Sequence, residues 1–321
     1  MKRIGVFTSG GDAPGMNACV RAVVRTALHS GLEVTGIYRG YTGMIEGEYA
    51  PMHAHSVSNI IQYGGTILKT TRSSEFMTKE GRVKAAQQIR AHGIDGLVAI
   101  GGDGTFRGAV ALEEECGIPV VGAPGTIDND VSGTDYTIGF DTAVNTALES
   151  IDKIRDTAYS FDRTFYIEVM GRHSGFIATE VALASGAEYV IIPEVETNIE
   201  ELSRRLLAAR PTKRSNIVIV AEGDETGGAI NIAKRLNDLH NIDYRICILG
   251  HVQRGGSPSA HDRILACVLG IEAVKTLMAG ISGVMVGQID HDVRLTPFHE
   301  TFEKKKQVNL DFVKQLGILA K

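Results

Sequence analysis

The chain has 321 residues, of which 43% are hydrophobic and 22% are charged, as in ordinary globular proteins. This composition excludes a disordered, collagen-like or coiled-coil protein, and the length predicts two domains or one large two-lobed unit. The formal net charge of −5 provides no overall field to attract nucleic acid or an anionic membrane, so any anion-binding site must be local.

The cysteines and the N-terminus indicate the compartment. The four cysteines are far apart and form no CxxC pair, so neither a zinc cluster nor a small disulfide scaffold is predicted. The N-terminal apolar stretch is too short for a signal peptide, and no apolar run approaches the roughly 18 residues of a membrane helix. We therefore expect a cytoplasmic protein with no membrane and no nucleic-acid partner.

In chain order, the sequence begins with an apolar strand, a glycine-rich loop and a helix with apolar residues three and four positions apart. The same unit occurs three times, at 3–31, 97–116 and 118–159. Further strands are predicted at 33–38, 165–170, 189–192, 217–222 and 246–249, and further helices at 199–209, 229–239 and 259–279. The alternation predicts an α/β protein with two Rossmann-like lobes, each a mostly parallel sheet in a three-layer αβα arrangement.

We expect an approximate boundary between the lobes, at 1–160 and 161–321, with the C-terminal segment a candidate to return to the first lobe. In such sheets ligands bind beyond the carboxyl ends of the strands. The glycine-rich loops of this chain follow predicted strands and therefore lie at those ends.

The first loop has the sequence SGGDAPGMN at residues 9–17. Its backbone N–H groups and the following helix N-terminus can face an anion such as phosphate. The chain has no GxxxxGK[ST] motif, and no GxGxxG follows the first strand, which disfavours a P-loop NTPase and a dinucleotide-binding fingerprint. A tight turn before a helix explains this loop equally well when it is taken alone.

The second loop, GGDGT at residues 101–105, opens a helix. Its glycines leave room for a nucleotide phosphate chain, and Asp103 supplies an oxygen ligand of the kind that Mg²⁺ prefers. Asp103 as a helix N-cap is the alternative.

The third loop, PGTIDND at residues 124–130, places two carboxylates two positions apart at a strand end. One carboxylate can meet a substrate hydroxyl while the other orients a metal or the first carboxylate. An Asx-rich turn is the alternative for DND alone, and the convergence of three loops at one sheet edge disfavours it.

A family resemblance follows from SGGDAPGMN, IGGDGT, PGTIDND, GFDTA, VMGRHSG and GHVQRGGSP, in this order between Lys2 and about Ala279. These segments resemble the bacterial ATP-dependent 6-phosphofructokinases; the last forty or so residues resemble the family less clearly. The resemblance implies the phosphofructokinase fold and transfer of the γ-phosphoryl of MgATP to the 1-hydroxyl of fructose 6-phosphate, a step of glycolysis. It also implies an ATP- and Mg²⁺-binding first lobe with the catalytic loop, and a sugar-phosphate-binding second lobe.

The resemblance also implies roles for individual residues. Asp128 matches the general base, Thr126 holds the reacting end of the sugar, and Asp130 supports the metal and the base. Arg72 spans both substrates, and Arg172 stabilises charge in the transition state. The expected nucleotide-binding residues are Gly11, Arg72, Ser73, Gly102, Asp103, Gly104 and Thr105, with Asp103 as the Mg²⁺ ligand. The expected sugar-phosphate-binding residues are Thr126, Asp128, Arg163, Met170, Gly171, Arg172, Glu222, Arg245, His251 and Arg254.

Oligomeric state and regulation are implied in the same way. Arg163 and Arg245 match arginines that reach into a neighbouring subunit's site, which implies a homotetramer. The residues that match the family's effector site, where ADP activates and phosphoenolpyruvate inhibits, are Arg21, Arg25, Arg155, Gly186, Glu188, Lys213 and Arg214. Pro211 and Ser215 stand where basic or imidazole side chains are expected, so we expect weak regulation by these anions.

Alternative functions remain open. Pyrophosphate-using relatives tend to carry Asp where this chain has Gly104 and Lys where it has Gly125, so ATP is favoured as donor and pyrophosphate is the nearest alternative. Lipid and NAD kinases share the GGDG turn but do not explain PGTIDND with GHVQRGG. A nucleotide-binding sensor without catalysis would be expected to lack Asp103, Asp128 or Arg172, and all are present.

Overall fold

A computed structural model describes residues 1–161, 163–209, 216–223, 227–240 and 243–319. The chain forms two compact units. The first comprises Met1–Ile127, Val131–Thr142 and Arg254–Lys306, and the second comprises Asp128–Asp130, Ala143–Gln253 and Gln307–Lys321. A single cut near residue 160 does not describe this division, because residues 254–306 belong to the first unit.

The strands and helices of the described residues follow in chain order. The strands are β1 (Arg3–Thr8), β2 (Glu33–Ile37), β3 (Tyr49–Met52), β4 (Gly96–Gly101), β5 (Val120–Pro124), β6 (Thr164–Val169), β7 (Tyr189–Ile191), β8 (Asn216–Ala221), β9 (Tyr244–Ile248), β10 (Val284–Ile289) and β11 (Asp292–Pro297). The α-helices are α1 (Met16–His29), α2 (Gly40–Glu46), α3 (Lys79–Ala91), α4 (Asp103–Cys116), α5 (Phe140–Phe161), α6 (Phe176–Ser185), α7 (Ile199–Ala209), α8 (Gly228–His240), α9 (Ala260–Met278), α10 (Phe298–Glu303) and α11 (Leu310–Leu319).

The first unit contains a seven-stranded sheet in the order β11-β10-β5-β4-β1-β2-β3. The five inner strands run parallel, and the two edge strands β11 and β3 are antiparallel to their neighbours. All six residues of β4 are buried, as expected for a strand covered on both faces. Phe7 and Leu97 of the sheet pack with Phe106 of α4 and Phe298 of α10, while α1 and α9 pack against each other and the sheet.

The second unit contains a four-stranded parallel sheet in the order β7-β8-β6-β9. Tyr166 and Val218 of this sheet pack with Leu202 of α7 and Ile232 of α8. Helix α6 packs against β8 and α11. The parallel sheets with packed helices confirm the predicted α/β class with Rossmann-like lobes.

Several elements of the structure were not predicted, and the β10–β11 hairpin is the clearest case. Ile289 pairs with Asp292 across a two-residue turn, and Asp290 and His291 both have positive φ angles, of 50° and 69°. This is the backbone of a type I′ hairpin turn, whose usual sequence signal is Asn-Gly or Asp-Gly. The sequence Asp-His lacks this signal, so the turn was not predicted. No helix in the described part of the chain is both long and apolar enough to span a membrane.

Candidate active site

The first glycine-rich loop joins β1 to α1 in the first unit. Three of its carbonyl oxygens accept hydrogen bonds from side chains: Ser9 O from Thr105 Oγ1 (3.1 Å), Gly10 O from Thr70 Oγ1 (2.8 Å) and Asp12 O from Arg254 Nη1 (3.2 Å). In contrast, the N–H groups of residues 10–13 donate to no acceptor within the described residues. A loop whose carbonyls are bonded and whose N–H groups are open is suited to binding an anion.

Arg254 brings a positive charge to this loop. A Cβ atom built on Gly11 would overlap the guanidinium of Arg254, so a larger residue there would displace the arginine from the backbone. Of the residues predicted to bind nucleotide and sugar phosphate, Gly11 and Arg254 are therefore neighbours.

The second loop lies at the N-terminus of α4. The helix N-cap is Gly102, and the Asp103 carboxylate instead accepts a hydrogen bond of 2.8 Å from Arg107 Nε, one turn along. The alternative that the Asp103 side chain caps the helix is therefore wrong. Thr105 is buried, and its hydroxyl connects this loop to Ser9 of the first loop.

Gly104 and Arg107 define the surroundings of Asp103. No atom lies within 4 Å of where a Cβ of Gly104 would be, so this position borders open space. The Arg107 guanidinium lies 4.0 Å from the centre of the Phe302 ring, which holds the arginine beside the carboxylate. Arg107 was not among the predicted site residues.

Arg72 follows a segment that is tied to the first loop through Thr70. The Arg72 side chain is exposed, and its guanidinium has no ion-pair or hydrogen-bond partner among the residues that the structure describes. Ser73 Oγ accepts a 3.2 Å hydrogen bond from Phe76 N and so supports the short helical turn that follows. Arg72 thus offers an unmatched positive charge.

Thr126 lies in the part of the third loop that belongs to the first unit. Thr137 Oγ1 donates to Thr126 O at 2.6 Å, and Gly125 N donates to Gly101 O at 2.9 Å. A Cβ built on Gly102 would lie 3.5 Å from Thr126 Cβ. The second loop and the start of the third are therefore adjacent, as the sequence predicted.

Asp128 belongs to the second unit, together with the VMGRHSG segment. The residue is 6% exposed, and its carbonyl oxygen accepts a 3.2 Å hydrogen bond from Ser174 Oγ. Asn129 next to it has a φ of 53°. Such a left-handed conformation is uncommon for a residue other than glycine and often occurs at functional sites.

Arg172 shows the same unusual backbone, with a φ of 58°. Its N–H donates to Glu222 Oε1 at 2.8 Å, so the side chain predicted to contact the sugar also anchors the arginine's backbone. The exposed guanidinium has no partner within the described residues. Like Arg72, it is an unmatched cation.

Met170 is held by a residue that was not among the predicted site residues. Its N–H donates to Gln253 Oε1 at 2.9 Å, and Gln253 is completely buried. Ser174 was missed as well. Ser174 and Gln253 both lie inside the motifs that carry the family resemblance. Their position within those motifs was the sequence signal that could have identified them.

Two of the predicted sugar-phosphate arginines lie at the opposite edge of the second sheet. Arg163 precedes β6 and Arg245 is near the start of β9, and both approach Asp243, at 3.7 Å and 3.0 Å. Arg172 and Glu222 follow the carboxyl ends of β6 and β8. A strand of this length separates the two groups by about 20 Å, so within one chain the structure does not bring them together. His251 is exposed in the turn Gly250–Arg254.

The comparison with known proteins decides the family. The phosphofructokinase family model matches residues 3–277. This chain belongs to the phosphofructokinase family. The resemblance found in the sequence is thereby confirmed.

Members of the phosphofructokinase family from bacteria and yeast are similar over most of the chain. "ATP-dependent 6-phosphofructokinase 1" of Thermus thermophilus is 59% identical over the full length of both chains. "ATP-dependent 6-phosphofructokinase" of Cytophaga hutchinsonii is 56% identical over 98% of this chain and 96% of the relative. The phosphofructokinase structure from Saccharomyces cerevisiae aligns with a TM-score of 0.89 and 38% identity, covering 94% of this chain and 45% of the yeast chain.

The residues that match the phosphofructokinase effector site lie in three places. Arg21 and Arg25 are on α1 of the first unit, and Lys213 and Arg214, with Pro211 and Ser215, lie outside the described residues. In the second unit, Arg155 Nη2 donates to Ser185 O at 2.6 Å, Gly186 ends α6 with a φ of 64°, and the buried Glu188 accepts from Ile217 N at 2.6 Å. Arg155 and Glu188 thus already bond the protein's own backbone.

Proposed function

We propose that this chain transfers the γ-phosphoryl group of ATP to the 1-hydroxyl of fructose 6-phosphate, producing fructose 1,6-bisphosphate and ADP in glycolysis. The observation that carries the proposal is the first loop, whose open N–H groups lie beside the Arg254 guanidinium. Backbone donors and a guanidinium group are what a phosphoryl group in transfer requires. The names of relatives 56% and 59% identical to this chain support the same activity.

The Asp103 carboxylate is a suitable ligand for Mg²⁺. The carboxylate is partly exposed at the start of α4, next to the open space at Gly104. Mg²⁺ usually takes only one or two carboxylates and completes its coordination with phosphate oxygens and water. The finding that the described residues contain no group of three or more His, Cys, Asp or Glu that could hold a metal is compatible with such a site. When bound, the ion would neutralise charge on the nucleotide phosphates.

Asp128 is the proposed general base. Its carboxylate accepts the proton of the sugar 1-hydroxyl, the oxygen forms a bond to the γ-phosphorus, and the bond from that phosphorus to the bridging oxygen of ADP breaks. Arg72 and Arg172 neutralise the charge of the phosphoryl oxygens, and Gly11 donates its N–H. The protein thus acts mainly by alignment and charge neutralisation.

The remaining residues hold the sugar phosphate and connect subunits. Thr126 and Asp130 support the reacting end, while Met170, Glu222, His251 and Arg254 bind the sugar phosphate. The position of Arg163 and Arg245 at the far edge of their sheet supports a role in a neighbouring subunit's site, and the family resemblance implies that the oligomer is a homotetramer. We place the enzyme in the cytoplasm, with weak responses to ADP and phosphoenolpyruvate.

The donor specificity is proposed to be for ATP. The open space at Gly104 can accept a nucleotide phosphate chain, whereas a side chain at Gly125 would begin 3.1 Å from both Ile100 and Met16. Pyrophosphate is the alternative donor. Product formation with ATP and with pyrophosphate in parallel reactions distinguishes the two, and turnover with pyrophosphate alone would contradict the proposal.

The first test is Asp128→Asn. We expect kcat to fall by about 10²-fold or more, because the amide cannot accept the hydroxyl proton. Fructose 6-phosphate binding, measured by calorimetry, should remain within about threefold, since the amide retains the shape of the carboxylate. Near-normal turnover would assign the base to another residue.

A further inference from the structure

We propose that Thr70 is a positioning residue that fixes the direction of the Gly11 N–H group through the carbonyl of Gly10. The inference rests on the proposed function, in which Gly11 donates this N–H to the transferred phosphoryl group. Thr70 lies outside every residue set assigned above. Its hydroxyl donates to Gly10 O at 2.8 Å.

The directions of the Gly10 carbonyl and the Gly11 N–H are coupled through a single peptide unit. Gly10 C=O and Gly11 N–H belong to the same peptide group, and the described chain contains no cis peptide bond. In a trans peptide these two groups point in opposite directions. Holding the carbonyl towards Thr70 therefore directs the Gly11 N–H to the other side of the loop.

The loop needs such a restraint because its backbone is permissive. Gly10 has a φ of 85° and is followed by a second glycine, and glycine reaches both signs of φ at low energy. A Gly-Gly peptide can therefore rotate between orientations that exchange the directions of its N–H and C=O. A hydrogen bond to the carbonyl selects one of them.

Thr70 can act in this way because the segment that carries it is fixed on both sides. Before it, Thr8 Oγ1 donates to Lys69 O at 2.9 Å. After it, Thr71 Oγ1 bonds Thr42 Oγ1 at 2.7 Å and Arg39 O at 3.2 Å. The hydroxyl of Thr70 is thus presented to the loop from a rigid support rather than from a free chain.

The arrangement also connects the two anion-binding features of the first unit. Thr70 is two residues before Arg72, whose guanidinium is unmatched, so one short segment both holds the loop peptide and presents a cation. A phosphoryl oxygen near Gly11 would therefore accept a hydrogen bond from the N–H group and contact a guanidinium group. The same segment positions both.

The test compares Thr70→Val, which keeps the shape but removes the hydroxyl, with Thr70→Ser, which keeps the hydroxyl. We expect kcat of the valine variant to fall about tenfold and KM for ATP to rise, while KM for fructose 6-phosphate stays within about twofold, because this N–H contacts the phosphoryl group that ATP carries. The serine variant should stay within about threefold of the wild type. Ser58→Ala, which removes a hydroxyl that donates to a backbone carbonyl outside the loop, that of Ala54, is the control and should stay within about twofold.

A binding measurement separates positioning from a loss of structure. By calorimetry, Thr70→Val should bind a non-hydrolysable ATP analogue about fivefold more weakly and ADP unchanged, since only the analogue has a γ-phosphoryl group. A general disruption would weaken both ligands equally and would overturn the inference. So would equal losses in the serine and valine variants, or a valine variant within twofold of wild type in both kcat and analogue binding.

The same experiments distinguish this inference from the proposed function. If the wild-type chain failed to phosphorylate fructose 6-phosphate, the proposed function would be wrong, and the comparison of analogue with ADP would still test Thr70. If the wild type is active and Thr70→Val is indistinguishable from it, the inference about Thr70 is wrong and the function stands.

Discussion

Arginine residues in this chain divide into those matched by a carboxylate and those left unmatched. Arg82 makes a pair of 2.8 Å hydrogen bonds to Glu115, and Arg39 bonds both Glu46 and Glu48. Arg72 and Arg172 have no such partner among the described residues. A charge that the fold does not match is available to a ligand, which is the residue-level reason to expect a highly anionic substrate.

A substitution at Gly104 tests donor selectivity. Gly104→Asp adds a carboxylate at a position that borders open space, so we expect unchanged thermal stability but at least a tenfold rise in KM for ATP through repulsion of the phosphates. Gly104→Ala is the control and should change KM by less than about threefold, because it adds volume without charge. Steady-state kinetics with varied ATP provide the measurement. Equal effects of the two variants would show that charge is not the cause.

Among the elements, α9 and the start of α5 are joined by a buried carboxyl group. Asp262 of α9 is fully buried and accepts 2.8 Å hydrogen bonds from Gly139 N and Thr142 N and one of 2.5 Å from Thr142 Oγ1. It thereby satisfies N–H groups that the first turn of a helix leaves open. Burial raises the pKa of Asp262, and the hydrogen bonds from Thr142 and Gly139 oppose that rise.

The contribution of the Asp262 carboxyl to the free energy of unfolding should depend on pH in a definite direction. We expect Asp262→Asn to lower the free energy of unfolding by about 1–3 kcal/mol, because the amide cannot accept all three hydrogen bonds. A raised folded-state pKa means that the native state binds this proton more tightly than the unfolded chain. The contribution of Asp262 is therefore fully present below its unfolded pKa and declines as pH rises through the folded value.

Denaturant titrations at several pH values check this prediction. The difference between wild type and Asp262→Asn should grow as pH falls from neutral towards about 4. Glu149→Gln on α5 is the control, because Lys153 lowers the pKa of Glu149 and its contribution should change with pH in the opposite direction. A difference for Asp262 that shrinks on acidification would contradict the raised pKa.

The sequence predicted those strands and helices in which hydrophobic periodicity occurs together with a glycine-rich turn. Buried runs such as 97–101 and the helix after them predicted β4 and α4, since a covered strand and an amphipathic helix have distinct patterns. Strand β3 was missed because it is short and contains Pro51, and Thr70 because a hydroxyl that bonds a carbonyl 60 residues away leaves no local pattern. The pairing of Asp103 with Arg107, in contrast, has the i, i+4 spacing of a helical ion pair and was open to prediction from the sequence.

At the level of the whole molecule, we expect weak regulation by anionic effectors. Arg155 already bonds the backbone, and Pro211 and Ser215 bring no charge, so fewer fixed cations are available to bind an anion differently in two states. We expect hyperbolic saturation with fructose 6-phosphate, and a change of less than about twofold on adding about 1 mM phosphoenolpyruvate. Initial rates with and without this anion provide the measurement. Strongly sigmoidal kinetics with inhibition at that concentration would contradict the expectation.

The return of residues 254–306 to the first unit has a consequence for biosynthesis. Strand β10 pairs with β5, yet more than 150 residues are translated between them, so β5 emerges from the ribosome with one edge unpaired. An unpaired edge strand invites association with other chains. The nascent protein must therefore protect β5 until β10 is translated, and a truncation that ends near residue 253 should aggregate rather than yield a usable N-terminal fragment.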